Sequence, residues 1–138
     1  MSTNPLNLPA FQIAATDRSP HVDFDFDAGR LRMRGESYPE DVTSFYRPVL
    51  DALDKYFGAL GTGDCRFELS LIYFNSASAK VIMFLMEMLD AAAAKGAAVD
   101  LFWYYDPEDD TMQELGEEFG EDLEHARFHL EAMVRDAE

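Results

Sequence analysis

The alternation of apolar and polar residues near the N-terminus predicts a β-hairpin. Over residues 21–27, apolar side chains alternate with aspartates, which is the period-two pattern of a strand with one wet face. Residues 28–29 supply an Ala-Gly turn, and residues 31–35 form the returning strand. A short edge strand is expected at residues 11–15, preceded by a polar, proline-containing stretch at residues 1–9 that predicts a flexible arm.

The remainder of the chain alternates between helical and strand patterns. A helix is expected to start within residues 38–41, to be delayed or kinked by Pro48, and to stop at Gly58. The following elements are, in order, a central strand at 66–74, a helix at 79–95, a buried strand at 98–105, an acidic helix at 107–122 and a final strand at 126–133. This order predicts one α/β domain over residues 1–138, with helices packed on a mixed, partly parallel sheet.

The helix predicted at residues 79–95 is more apolar than burial of one face requires. Winding at about 100° per residue assigns one face to the sheet, and that face consists of Ile82, Leu85, Met86, Leu89 and Ala93. Val81, Phe84 and Met88 form a shoulder beside it. Two interpretations stay open: a neighbouring helix covers the shoulder, or the shoulder is an adaptable apolar surface for a partner.

The junction between the central strand and this helix carries the most informative polar residues. Asn75, Ser76 and Ser78 follow the strand directly, so a hydroxyl is expected to cap the helix at the carboxyl edge of the sheet. A phosphate on Ser76 would meet free amide groups at the positive end of the helix dipole. Lys80, one turn later, is placed to support that phosphate or to contact a partner. On spacing alone, a serine in such a place is more often an ordinary N-cap than a modified residue.

Charge narrows the range of partners. The chain has 27 Asp and Glu against 11 Lys and Arg, a formal net charge of −16, which disfavours nucleic acid and anionic membrane surfaces. It suits either solubility or a basic patch on another protein. Cys65 is the only cysteine, which is typical of a reducing cytoplasm, and no targeting or transmembrane segment is evident.

Catalytic and metal chemistry has little support in the sequence. The aspartates at 23, 25 and 27 fit a solvated strand face, and Asp106, Asp109 and Asp110 fit a helix start better than a magnesium site. His125 and His129 are four residues apart but are expected on a strand rather than a helix. We expect no metal, no cofactor and no catalytic residues, with a metal-dependent hydrolase using the three aspartates at 106, 109 and 110 as the weaker alternative.

Four segments together resemble the SiaC family of bacterial regulatory phosphoproteins. They occur in the family's order at Gly35 to Asp41 (GESYPED), Tyr73 to Lys80 (YFNSASAK), Trp103 to Asp109 (WYYDPED) and Glu117 to Asp122 (EEFGED). Each segment is weak alone, but their combination over roughly residues 27–130 is specific. The resemblance implies a fold similar to STAS domains and anti-sigma-factor antagonists.

The resemblance also implies a function and a modified residue. In this family the phosphorylated hydroxyl follows the Asn at the strand end, which is Ser76 here, with Ser78 as the second candidate. The unphosphorylated form is expected to bind and activate a diguanylate cyclase in cyclic-di-GMP signalling, through Asn75, Lys80 and the shoulder, while a kinase and a PP2C-type phosphatase set the phosphorylation state. The sequence has serine where threonine is usual and Ala77 where a further hydroxyl is usual, which puts the kinase's identity in question. An anti-sigma-factor antagonist is the alternative regulatory role.

Overall fold

The computed structural model describes residues 4 and 6–133, which form a single six-stranded sheet with three helices. In chain order the elements are β1 (Phe11–Ile13), β2 (His21–Asp25), β3 (Arg30–Ser37), α1 (Val42–Leu60), β4 (Asp64–Phe74), α2 (Ser76–Ala94), β5 (Ala98–Tyr105), α3 (Asp110–Glu121) and β6 (Arg127–Ala132). Every predicted strand and helix is present, and the bounds of β5 agree with the prediction at both ends.

The strands lie side by side in their sequence order. β1, β2 and β3 pair antiparallel, whereas β3, β4, β5 and β6 pair parallel, so the predicted mixed sheet is confirmed. One helix connects each parallel pair, and because such crossovers are almost always right-handed, all three helices lie on the same face of the sheet. Among the described elements, no helix lies on the opposite face, which we call the open face.

The core lies between the sheet and its helices. The strand register aligns Leu31, Phe67 and Leu101 in one row across three strands, and Met33, Leu69 and Trp103 in the next. All six side chains are buried, as are Tyr46, Val49, Leu53 and Tyr56 of α1 and Ile82, Leu85, Met86 and Leu89 of α2. This packing confirms the assignment of α2's sheet-facing side, except that Ala92 rather than Ala93 completes it.

Charged side chains cover the open face and pair across strands. Arg32 of β3 binds Asp23 of β2 at 2.9 Å, which confirms that Asp23 lies on a wet strand face. Asp25 is exposed at the end of β2, whereas Asp27 lies beyond the strand, in the turn. Glu68 accepts hydrogen bonds from both Arg30 and Arg66, at 3.0 and 2.7 Å. The ion pairs use the alternation of the strands, since every second residue faces away from the helices.

Helix α1 begins just after the predicted start and ends two residues beyond the predicted stop. Asp41 is the N-cap and its carboxylate accepts the amide of Ser44, so the helix starts at Val42. Pro48 lies inside the helix, and the expectation that this proline delays the start is wrong. The predicted stop at Gly58 is wrong, because the helix continues to Leu60, which is buried. Burial of that side chain outweighs the cost of about 1 kcal/mol for a glycine inside a helix, and Gly61, with φ +62°, ends it.

The predicted N-terminal arm is only partly within the described residues, since residues 1–3 and 5 lie outside them. Asn4 is buried, and its side chain donates to the Leu8 carbonyl and to Asp27, both at 2.9 Å. Among the described residues, no helix combines the length and apolar character that crossing a membrane requires.

Candidate functional site

The end of β4 and the start of α2 form the edge where the predicted site lies. The expectation that a serine hydroxyl caps α2 is wrong: Asn75 is the N-cap, and its side-chain oxygen accepts the Ser78 amide at 2.9 Å. The Asn75 amide in turn donates to the Ser37 carbonyl of β3 at 3.1 Å. This bond holds Asn75 at the point where the chain leaves the sheet. The helix therefore starts at Ser76, three residues earlier than predicted.

Ser76 occupies the first helical position and its side chain is exposed. Helix geometry leaves the amides of the first turn without intrahelical partners, and only the third of them, that of Ser78, is taken by Asn75. The Ser76 hydroxyl therefore lies beside free N–H groups at the positive end of the helix dipole. This is an environment that favours an added anion.

Ser78 lies in a different environment, inside the protein. It is fully buried, and its hydroxyl accepts a hydrogen bond from Ser37 at 2.9 Å. Ser37 also bonds to the Tyr46 hydroxyl of α1 at 2.5 Å, and burial raises the pKa of Tyr46 to about 12. The three hydroxyls form a buried chain that joins β3, α1 and α2 directly beneath the exposed turn that holds Ser76.

The predicted shoulder is divided between a covered and an exposed part. Val81 and Met88 are half-buried and line clefts against α1, whereas Phe84 is 51% exposed. Lys80 is exposed one turn after Ser76. The neighbouring-helix interpretation thus holds for two of the three shoulder residues and the exposed-surface interpretation for the third.

Three exposed apolar residues on β4 and α2 were not predicted from the sequence. Met83 is 43% exposed and follows Ser76 by seven residues, about two helical turns, so it lies on the same side of α2 as the serine. Counting two helical turns along the sequence from Ser76 would have identified Met83 as a residue on the serine's side of the helix. Ile72 and Tyr73 are 62% and 48% exposed near the end of β4, where a register shift beside Gly35 and Glu36 leaves Ile72 out of the pairing. We call Ile72, Tyr73, Met83 and Phe84 the apolar surface around Ser76.

The acidic cluster at the start of α3 serves local structure. Asp109 is the N-cap and accepts the Met112 amide at 3.0 Å, and the Asp106 carboxylate accepts the Glu108 amide at 2.9 Å. These are the capping roles expected for acids at a helix start. Within the part of the chain that the structure describes, no group of three or more His, Cys, Asp or Glu is arranged to hold a metal ion.

The remaining candidate residues for chemistry are also held in structural contacts. Cys65 is buried and burial raises the pKa of its thiol to about 12, so the nucleophilic thiolate is not populated at neutral pH. His129 lies on strand β6, as predicted, and contacts Asp100 at 2.9 Å. Trp103 is a core residue whose indole donates to the Met112 carbonyl at 3.2 Å.

Comparison with known proteins gives concordant matches. The model of the family described as SiaC family regulatory phosphoprotein matches residues 13–133. An uncharacterized protein of Pseudomonas aeruginosa (strain UCBPP-PA14) is 36% identical over 110 residues, which cover 80% of this chain and 86% of that protein.

Two solved structures share the fold. The crystal structure of apo-SiaC from Pseudomonas aeruginosa has a TM-score of 0.84 and 33% identity, covering 91% of this chain and 100% of that one. SiaC in the crystal structure of the diguanylate cyclase SiaD with its activator SiaC, also from Pseudomonas aeruginosa, has a TM-score of 0.84 and 34% identity, covering 89% and 99%. The family match over most of the chain agrees with the four sequence segments and with the fold, and the chain belongs to the SiaC family of regulatory phosphoproteins.

Proposed function

We propose that this protein is a non-catalytic cytoplasmic regulator that binds and activates a diguanylate cyclase while Ser76 is unphosphorylated. A protein kinase and a PP2C-type phosphatase set the state of Ser76. The observation that carries the proposal is the exposed Ser76 hydroxyl at the first position of α2, beside an exposed apolar surface, in a member of a regulatory phosphoprotein family. A relative of similar fold is the activator in a complex with a diguanylate cyclase.

Ser76 rather than Ser78 is the proposed modified residue, and accessibility supports this choice. A kinase must bring the hydroxyl to its own active site, which an exposed side chain in a first helical turn allows. The Ser78 hydroxyl is fully buried and bonded to Ser37, so its modification would need α2 to detach from the sheet. The buried hydroxyl chain makes that detachment costly.

Charge explains how the modification acts as a switch. Phosphate adds a charge of about −1.5 to −2. The free amides of the first turn, together with Lys80, stabilise this charge in the isolated protein. A partner packed over Phe84 and Met83 would have to remove the dianion from water, and burial of an unpaired charge costs several kcal/mol. Phosphorylation therefore leaves the fold intact and releases the partner.

The test compares cyclase binding and activation by wild type, Ser76→Ala, Ser76→Asp and protein phosphorylated at Ser76. We expect Ser76→Ala to bind like wild type and to resist the kinase, whereas the phosphorylated protein loses at least tenfold in affinity and no longer stimulates cyclic-di-GMP synthesis. Thr43→Asp is the control for Ser76→Asp, because it adds the same single charge in the exposed first turn of a different helix, α1. If phosphorylated Ser76 binds and activates as well as wild type, the proposed switch is wrong.

The STAS-like resemblance favours a second regulatory function, that of an anti-sigma-factor antagonist. This function shares the Ser76 switch but has a different partner. Direct binding of the unphosphorylated protein to a purified anti-sigma kinase, with no binding to the cyclase, would replace the first proposal by the second.

A further inference from the structure

A groove between α2 and α3 lies beside the apolar surface around Ser76. Its apolar lining comes from Met83 and Met86 of α2 and from Phe119 and Leu123 at the end of α3. The groove has a volume of about 280 Å³, which accommodates one or two apolar side chains of a partner. Methionines suit such a site, because their flexible side chains adapt to the shape of what they contact.

The rim of the groove is acidic and well held. Glu87, Asp90, Asp122 and Glu124 line it. The Asp90 carboxylate accepts the amides of Glu124, His125 and Ala126 at 2.8–3.3 Å, which fastens the loop after α3 to α2. Burial raises the pKa of Asp90, but these amide bonds outweigh burial and hold that pKa below its ordinary value. The loop after α3 is thus held against α2, and the four carboxylates make the rim of the groove acidic.

The groove and the apolar surface around Ser76 are continuous along α2. Met83 belongs to both, because it is exposed on the Ser76 side of the helix and also lines the groove. At 1.5 Å per residue, the seven residues between Ser76 and Met83 span only about 10 Å. A partner segment of about ten residues laid along α2 would therefore reach both the groove and Ser76.

We propose that this groove binds a segment of the partner cyclase that has apolar side chains flanked by Lys or Arg; this inference rests on the proposed function. The apolar lining and the four carboxylates select that composition by complementarity. A second copy of this chain is a poor occupant, since it also carries a net charge of −16. Two of its arginines, Arg30 and Arg32, are already paired with Glu68 and Asp23.

Charge reversal at the rim tests the proposal. In the triple variant Glu87→Lys/Asp122→Lys/Glu124→Lys, the three replaced side chains are exposed, so the fold is expected to persist, which circular dichroism verifies. The matched control is Asp17→Lys/Asp64→Lys/Glu131→Lys, which makes the same change in net charge at exposed positions that line neither the groove nor the clefts beside the shoulder. Affinity for the purified full-length cyclase is measured by titration calorimetry at low and high salt.

We expect the rim variant to lose about tenfold or more in affinity and most of the salt dependence, and the control to change by less than threefold. Met83→Gln should weaken binding about fivefold at both salt concentrations, because it removes apolar contact without changing charge. Equal losses of affinity in the rim and control variants would show that only the overall electrostatic field of the protein affects binding. That result would overturn the proposal that the groove is the binding site.

The failure of the groove is distinguishable from the failure of the proposed function. If phosphorylation of Ser76 releases the cyclase while the rim variant and Met83→Gln bind like wild type, the groove is wrong and the switch stands. If unphosphorylated wild type does not bind the cyclase at all, both are overturned.

Discussion

Removal of the central hydroxyl of the buried chain under Ser76 should destabilise the fold strongly for so small a change. Ser37 bonds to Tyr46 at 2.5 Å and to Ser78 at 2.9 Å, and all three side chains are at most 1% exposed. Ser37→Ala leaves two buried hydroxyls without their partner, each at a cost of about 1–3 kcal/mol. Because Ser78 can relax within its own helix turn, we expect a total loss of about 2–4 kcal/mol in the free energy of unfolding.

Two further variants separate this effect from simple loss of a side chain. Tyr46→Phe leaves the Ser37–Ser78 bond in place and should cost about 1–1.5 kcal/mol. The double variant Ser37→Ala/Tyr46→Phe should be no less stable than Ser37→Ala alone, since the stranded tyrosine hydroxyl is gone. Thr43→Ala, at an exposed position of α1, is the control and should stay within about 0.5 kcal/mol of wild type.

Urea unfolding followed by the fluorescence of the single tryptophan, Trp103, measures these free energies. A cost below about 0.5 kcal/mol for Ser37→Ala would refute the reasoning. So would strict additivity of the two substitutions, because it would mean that the hydroxyls do not act as one chain.

Two other predictions concern a close approach and an ion pair. A Cβ on Gly116 of α3 would lie 2.7 Å from Trp103, so Gly116→Ala should lower the free energy of unfolding by about 1–3 kcal/mol. In Gly58→Ala of α1 the new Cβ would have nothing within 4 Å, and the free energy of unfolding should rise by about 0.5–1 kcal/mol. Similar effects of the two substitutions in urea unfolding would contradict this description of the packing. Hydrogen bonds from Arg127 hold the pKa of Asp100 well below its ordinary value of 3.8, so the pair's contribution is complete above that value and is lost as the pH falls below it. The destabilisation by Asp100→Asn should therefore be largest at neutral pH and shrink below about pH 4; a penalty that grows on acidification would show that the pair does not stabilise the fold.

The apolar pattern by itself determined the order of the elements and the side of each that is buried. The alternation in residues 98–105 and the helical spacing from Ile82 to Leu89 specify which side chains leave water, and burial is the dominant favourable term in folding. The presence of capping side chains at the junction between β4 and α2 was also predictable, because Asn75, Ser76 and Ser78 directly follow an apolar strand.

Which residue caps α2 was decided by the tertiary structure. Asn75, Ser76 and Ser78 all have capping side chains, and local propensity does not separate them. The bond from the Asn75 amide to Ser37, on the neighbouring strand β3, fixes where the chain leaves the sheet. That contact joins residues 38 positions apart, so no local pattern contains it.

The surface beside Ser76 likewise depended on which helices became neighbours. Packing of α1 covers Val81 and Met88, while Phe84 and Met83 stay exposed because no described element lies over them. In the groove between α2 and α3, Asp90 binds a loop more than thirty residues later in the sequence. Hydrophobic periodicity predicts which side of a helix is buried. It does not predict which neighbouring element covers the remaining helix surface, because that depends on contacts between residues far apart in the chain.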